Sequence, residues 1–398
     1  MQSGHGEIQR YLYFLGLLLS GISFRVIGDV YVGEIILTLL SIDRLMFRKK
    51  NTFIKVWHNL KIAGIIWTLA NLVGSIHSSK SFTVLLISVF TPILTISCLS
   101  TCLHYMNQSE SVLVQSLMIF ALGRFLGIMV DPLPYTDTYP WKFGYGENLI
   151  LLFIVLSYYL GFMKRQFFGG MVLSAISIIN QSRTLAFLIF VSVLALLTGP
   201  KRKKNLSILF IFGTFLPIVY WIYLNLGISG NLGVEEISRT KLLTSTNLGP
   251  LAARKEVIFS FRAFLESPIF GYGFNPNVKP DVIASGYQFW ADHGYTINNY
   301  DSSTLPLHSF FWAAVIQGGI LASSFWVLSF FFAVGKVFKI TEYRLAIRVL
   351  VLYSAVAMVD RILFSPFGAY ERLYVAIFMG ILISTSVRNR TKEICNDE

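Results

Sequence analysis

Runs of about 15 to 25 apolar residues recur along this chain from Tyr11 to Val387. At about 1.5 Å per residue, each is long enough to cross a hydrocarbon layer about 30 Å thick. Lipid offers no water to satisfy backbone N–H and C=O groups, so such a chain is confined to helices whose hydrogen bonds close within each segment. The composition fits that solvent: 54% of the residues are hydrophobic and 14% charged, with a mean hydropathy of +0.62. The pattern predicts an all-α integral membrane protein, a single polytopic domain over 1–398 with about twelve transmembrane helices. These fall near 10–28, 30–47, 61–77, 82–104, 111–130, 148–163, 168–182, 184–198, 206–225, 307–334, 345–360 and 371–387. The first run is expected to stay as a helix, because Arg10 is the only basic residue before it and no small-x-small cleavage site follows.

Lys and Arg in the short connections orient the chain. One set of connections and termini holds Arg10, Arg48, Lys49, Lys50, Lys55, Lys61, Lys164, Arg165, the basic run 201–204, Lys336, Lys339, Arg344, Arg348, Arg388, Arg390 and Lys392. The opposite set has only Arg25, Lys80, Arg124, Lys142, Arg183, Arg361 and Arg372 outside the one long loop. Both termini are therefore expected in the cytoplasm, and the loop at 225–306, between the ninth and tenth spans, on the other side. The net charge of +12 is an orientation signal and an attraction to anionic lipid, not a nucleic-acid footprint. Three cysteines, two of them four residues apart in an apolar run, form neither a disulfide framework nor a metal motif.

Two features interrupt the apolar spans. Gln181, Ser182 and Arg183 divide 168–198, which predicts two short helices meeting at a tight outward turn. The long loop carries seven carboxylates, six Lys or Arg and eleven aromatics, a composition that folds. Within it, 252–266 repeats Val257, Ile258, Phe261, Phe264 and Leu265 at helical spacing, with Lys255, Glu256 and Arg262 on the other side. Ser267, Pro268, Gly271 and Gly273 end this amphipathic helix.

Ionisable groups near spans are costly and so are functional candidates. The outward ends collect Arg25, Asp29, Arg124, Asp131, Arg183, Asp360, Arg361, Glu371 and Arg372. Some must pair, and Asp360 with Arg361 or Glu371 with Arg372 are candidate helix-end anchors. Arg183, on a tight turn in lipid, meets either a headgroup or an anionic substrate, since a guanidinium matches phosphate with a planar fork of donors. Arg254 falls on the apolar side of its helix with Ile258, Phe261 and Leu265, where it either snorkels to headgroups or projects into a cleft at the membrane surface. His308 follows Ser302, Ser303, Thr304 and Pro306 and is expected in the first turn of a long helix. That position disfavours a cation, which would keep the imidazole neutral near pH 7 and able to accept a proton; the alternative is a structural interfacial histidine. The loop aromatics, Tyr287 and Trp290 first among them, are either sugar platforms or a small core.

Three segments together resemble the O-antigen polymerase and O-antigen ligase superfamily of bacterial envelope glycosyltransferases. "NQSRTLAFLIF" at 180–190 resembles its Ser-Arg turn, and "ARKEVIFSFRAFLESPIFGYGF" at 253–274 its Arg-led amphipathic helix with a Pro and Gly-rich turn. "LHSFFWAAVIQGGILA" at 307–322 is similar to its His-led helix with a paired small-residue site, although Gln317 stands where an acidic residue is expected. Order and spacing agree, and the resemblance covers about residues 165 to 390.

The resemblance implies a GT-C-like fold and transfer of glycan from an undecaprenyl-diphosphate carrier on the periplasmic side of the bacterial inner membrane, without nucleotide sugar, metal or other cofactor. It implies that Arg183 and Arg254 grip the diphosphate and His308 acts as base; Arg124 and Arg361, from the charges at the span ends, and Tyr287 and Trp290, from their ring chemistry, are further candidate substrate contacts. The donor and acceptor would both be lipid-linked in a polymerase, with a chain-length regulator as a possible partner. A ligase, moving glycan to a lipid core or protein, carries the same motifs. A lipid-linked oligosaccharide flippase should show repeats and polar residues at the midplane. A metal-dependent transferase needs an acidic pair, for which Asp29 and Glu34 are the only early candidates.

Overall fold

The structure is a computed structural model that describes residues 2–25, 29–46, 54–132, 139–161, 163–180, 182–194, 256–293, 305 and 307–397, with isolated positions between 196 and 230. It is built from helices: α1 (Gln2–Leu18), α2 (Val32–Met46), α3 (Ile54–His77), α4 (Phe82–Met106), α5 (Glu110–Val130), α6 (Gly146–Tyr159), α7 (Met163–Ile179) and α8 (Arg183–Leu194). The loop contributes α9 (Glu256–Glu266) and α10 (Pro280–Asp292). After it come α11 (Phe310–Ala322), α12 (Ser324–Phe338), α13 (Leu345–Phe364) and α14 (Ala369–Asp397).

Among the described residues, α3, α4, α5 and the first part of α14 are long and apolar enough to cross a membrane, and α11 with α12 would make a fifth such span. Stretches in α2, α6, α7 and α8 are apolar but shorter. The expected span at 206–225 lies outside the described residues, as does the loop before Glu256.

Two expected spans take another shape. The run drawn as 10–28 stops as a helix at Leu18, closes through a 3-10 turn at Leu19–Gly21, and becomes an antiparallel hairpin of β1 (Ser23–Arg25) and β2 (Asp29–Tyr31). Ile22 and Phe24 are apolar enough to read as span, but two adjacent antiparallel helices must be joined, and β-branched and aromatic residues suit the strand. The run drawn as 307–334 is two helices bent by 110°. Gly319, at φ 70° and ψ −172°, occupies a region open essentially to glycine alone, and Gly318 beside it is also non-helical.

The innermost helix is α14, whose residues from Leu373 to Ile383 are almost all fully buried. It packs on α4, which offers small or weakly polar side chains: Ser97, Cys98, Ser100, Thr101 and Cys102 are buried. Small residues let helix backbones approach where lipid supplies no hydrophobic drive between helices. The same device seats the end of α1 on α5, where a methyl on Gly127 would strike Gly21. The hairpin is tied to that end of α5 by the Ser23 hydroxyl, which donates to Asp131 at 2.7 Å.

Beyond strain at its φ, a methyl on Gly319 would run into the backbone carbonyl of Ile269. Gly319→Ala is expected to cost about 1–3 kcal/mol from backbone strain alone, read as a lower thermal midpoint in detergent. Gly335→Ala, in α12 with open space at the new methyl, is the control and should leave the midpoint unchanged or raise it.

Candidate functional site

One set of ends of α2, α5, α6, α13 and α14 meets around three buried arginines. Arg372 places Nε 2.6 Å and Nη2 2.7 Å from the two carboxylate oxygens of Glu34, a two-pronged pairing. Its Nη2 also donates to the Asp29 carbonyl at 2.8 Å, while Glu34 accepts the Tyr31 N–H at 3.0 Å. Arg361 donates from Nη2 to both oxygens of Glu147 at 2.7 and 2.6 Å and from Nε to Glu371 at 2.7 Å. Arg124 has no carboxylate partner among the described residues. Its Nη1 and Nη2 donate to the carbonyls of Ser20 and Tyr370, both at 2.7 Å, and its guanidinium lies 3.6 Å from the Tyr370 ring centre and 4.6 Å from that of Tyr31.

Carbonyl dipoles and ring faces answer the Arg124 charge where carboxylates answer the other two. Tyr374 links the parts: its ring lies 4.8 Å below Arg361, and its hydroxyl donates to Asn148 at 2.8 Å. Arg124 and Tyr31, with Gly21, Ile128, Asp131 and Tyr370, line a small cleft at this end of the bundle.

Several expected substrate contacts thus serve the bundle itself. Arg361 is committed to two carboxylates, and Arg124 is caged and 1% exposed. Arg361, Glu371 and Arg372, candidate helix-end anchors, do tie helix ends together, through partners on other helices. The signal for Glu147 is that a lone acid in the first turn of an apolar helix needs a partner. Glu34 is held by Arg372 and is not an unengaged metal ligand.

A second convergence joins the loop to α11. The turn after α9 enters the kink at Gly318 and Gly319 within α11 through backbone bonds: Tyr272 N to Ile316 O (2.7 Å), Gly273 N to Gln317 O (2.9 Å) and Ile320 N to Pro268 O (2.9 Å). The bend frees these groups from the helical ladder, and the turn satisfies them. On its other side the turn sits on the end of α3. Phe274 N bonds the Ser75 hydroxyl at 3.0 Å, Lys80 Nζ donates to the Asn275 carbonyl at 2.7 Å, and the rings of Phe270 and His77 are 5.0 Å apart. Gly74 leaves room for the Phe270 carbonyl. Two of the three segments that carry the family resemblance therefore touch through their backbones. Burial, with a smaller effect from Glu266, pushes the Tyr272 phenol up in pKa, so it stays a donor.

His308 is exposed and stands just before α11, not within its first turn. The cap is Ser309, whose Oγ accepts from Trp312 N at 3.2 Å and donates to the Ile362 carbonyl of α13 at 2.7 Å. That bond ties the residue after His308 to the C-terminal part of α13. Arg183 begins α8, exposed, after the tight turn that the sequence predicts, with Ser182 N bonded to Ser177 O at 2.8 Å. Because α8 and α11 both pack on α13, Arg183 and His308 stand at the starts of elements that share one neighbour. Arg254 lies outside the described residues. Trp290 is fully buried with Phe259, Ala263, Val282 and Ile283, so its ring serves the loop core, and Tyr287 is half-buried beside Phe259.

Comparison with family models, with curated protein sequences and with solved structures finds no match to this chain.

Removing one member of a buried ion pair strands the other charge, at a cost of about 3–5 kcal/mol. Arg372→Met is therefore expected to lower the thermal midpoint sharply. Adding Glu34→Gln should recover part of the loss, a coupling that a double-mutant cycle measures.

Proposed function

We propose that this protein is a glycosyltransferase of the bacterial inner membrane that builds a polysaccharide. It moves glycan from an undecaprenyl-diphosphate-linked donor to a sugar hydroxyl of another lipid-linked repeat unit, on the side away from the cytoplasm. The reading includes a twelve-span, GT-C-like architecture with both termini cytoplasmic. The observation that carries it is the seating of the 268–273 turn in the Gly318–Gly319 kink of α11, which fixes this turn to the helix that begins just after His308. Arg183, exposed at the outward end of α8, adds a guanidinium at the same end of the bundle.

In this reading Arg183 and Arg254 hold the diphosphate and stabilise the charge that grows on it as the sugar departs. His308 takes the proton of the acceptor hydroxyl, whose oxygen bonds to the anomeric carbon as the bond from that carbon to the diphosphate oxygen breaks. One displacement inverts the anomeric centre. The leaving lipid diphosphate keeps the electron pair, and guanidinium groups do the work that a divalent cation does in other transferases. Arg124, Arg361 and Arg372 hold the helix ends on which the site rests.

Purified protein supplied with lipid-diphosphate repeat units should elongate them in the presence of EDTA; chelation that stops elongation would overturn the metal-independent chemistry. His308→Ala should lower turnover by about 10²–10⁴-fold while donor binding persists. Wild-type turnover in that variant would remove the base assignment. Arg183→Lys keeps the charge and loses the fork, so it should fall well below wild type.

A further inference from the structure

Helix α9 is apolar on two opposite sides. Phe259 and Ala263 are buried against α10, which is what a loop core requires. At 100° per residue, Phe261 and Leu265 lie on the far side, where a helix packed on a small extramembrane core should be polar. They are 46% and 55% exposed, and Ile269 and Phe270 of the following turn are 60% and 43% exposed. The charged Arg262 and Glu266 flank this face and do not cover it.

The patch has a fixed relation to the membrane-spanning part of the protein. Phe270 packs on His77, the last residue of α3, and the Ile269 carbonyl lies against Gly319. From there the apolar surface continues into exposed residues on both neighbours: Leu69, Val73 and Ile76 form a stripe along α3, and Ile320 and Leu321 follow the bend. A stripe at i, i+4 and i+7 on a helix of that length and hydropathy faces lipid. The exposed side of α9 and its turn is a continuation of that lipid-facing surface.

We propose that α9 and the 268–270 turn form an interfacial anchor, with Phe261, Leu265, Ile269 and Phe270 immersed in the acyl region of the outward leaflet. The helix lies along the membrane surface, its α10 side towards water and its Phe261 side towards lipid. The loop is thereby held at the depth of the membrane surface, and a lipid-borne ligand would meet it from within the leaflet. The proposal does not depend on the transferase reading, because it concerns where this helix sits and not what chemistry follows.

The test uses the full chain in phospholipid vesicles, with Cys395→Ser as background; Cys98 and Cys102 are buried. Phe261→Cys, Leu265→Cys and Ile269→Cys are labelled singly with a small fluorophore, and Asp281→Cys on the exposed first turn of α10 is the control. Phospholipid spin-labelled in the acyl chain should quench the first three by about twofold more than the control, while aqueous iodide quenches the control and spares them. Quenching of the three by iodide to the control's level, without response to spin-labelled lipid, would overturn the proposal. Protection from both quenchers would also overturn it, since protein, such as a second copy of the chain, would then cover the patch.

Discussion

A guanidinium buried at the end of a membrane bundle must have its charge answered by the protein, because little water reaches it. Three arginines impose that condition on one end of this structure. Arg372 is answered by Glu34 from α2, and Arg361 by Glu147 from α6 and Glu371 from α14. Arg124 is answered by backbone carbonyls and tyrosine rings. Each solution joins elements that are distant in sequence, so these ends cannot separate without stranding a charge. Neutral as a whole, the arrangement is a clamp; Tyr374, which touches Arg361 and Asn148, is its hub.

With these ends held, the 268–273 turn can be seated on the bundle. The bend at Gly318 and Gly319 opens carbonyl and amide groups of the helix, and the Pro268–Gly273 turn takes them up. The seating needs the positive φ of Gly319 and the absent side chain of Gly74, so it is specified by sequence at two separate places. It also ties the height of the loop to α3 and its register to the residues after His308. A site at such a junction can be shaped by the loop and still be held by the bundle.

Much of this was legible in the residues. The tight turn before Arg183, the amphipathic helix ending near Ser267 and the apolar helices follow from local periodicity and breakers. Tertiary demands decided the rest. The hairpin at Ser23–Tyr31 hides in an apolar run because its residues suit either a strand or a span. The bend at Gly319 hides because paired glycines in an apolar helix also read as a close-packing site. Arg361 and Arg372 stand out at once as helix-end anchors, but their partners Glu147 and Glu34 come from distant helices, which no local pattern identifies. Trp290 has the chemistry of a sugar platform and is spent on packing the loop core. The roles that the family resemblance implies for Arg183, Arg254 and His308 belong to the proposed chemistry.

The central claim is that glycan is transferred from lipid diphosphate at the outward face, and a single reconstitution tests it most directly. Protein inserted in vesicles is given lipid-diphosphate repeat units in the leaflet that faces its loop, and products are resolved by length while freed lipid diphosphate is measured. The account predicts a ladder of longer lipid-linked glycans, with one lipid diphosphate released for each linkage made. Repeat units that cross to the opposite leaflet unchanged, with no ladder and no released lipid diphosphate, would contradict it.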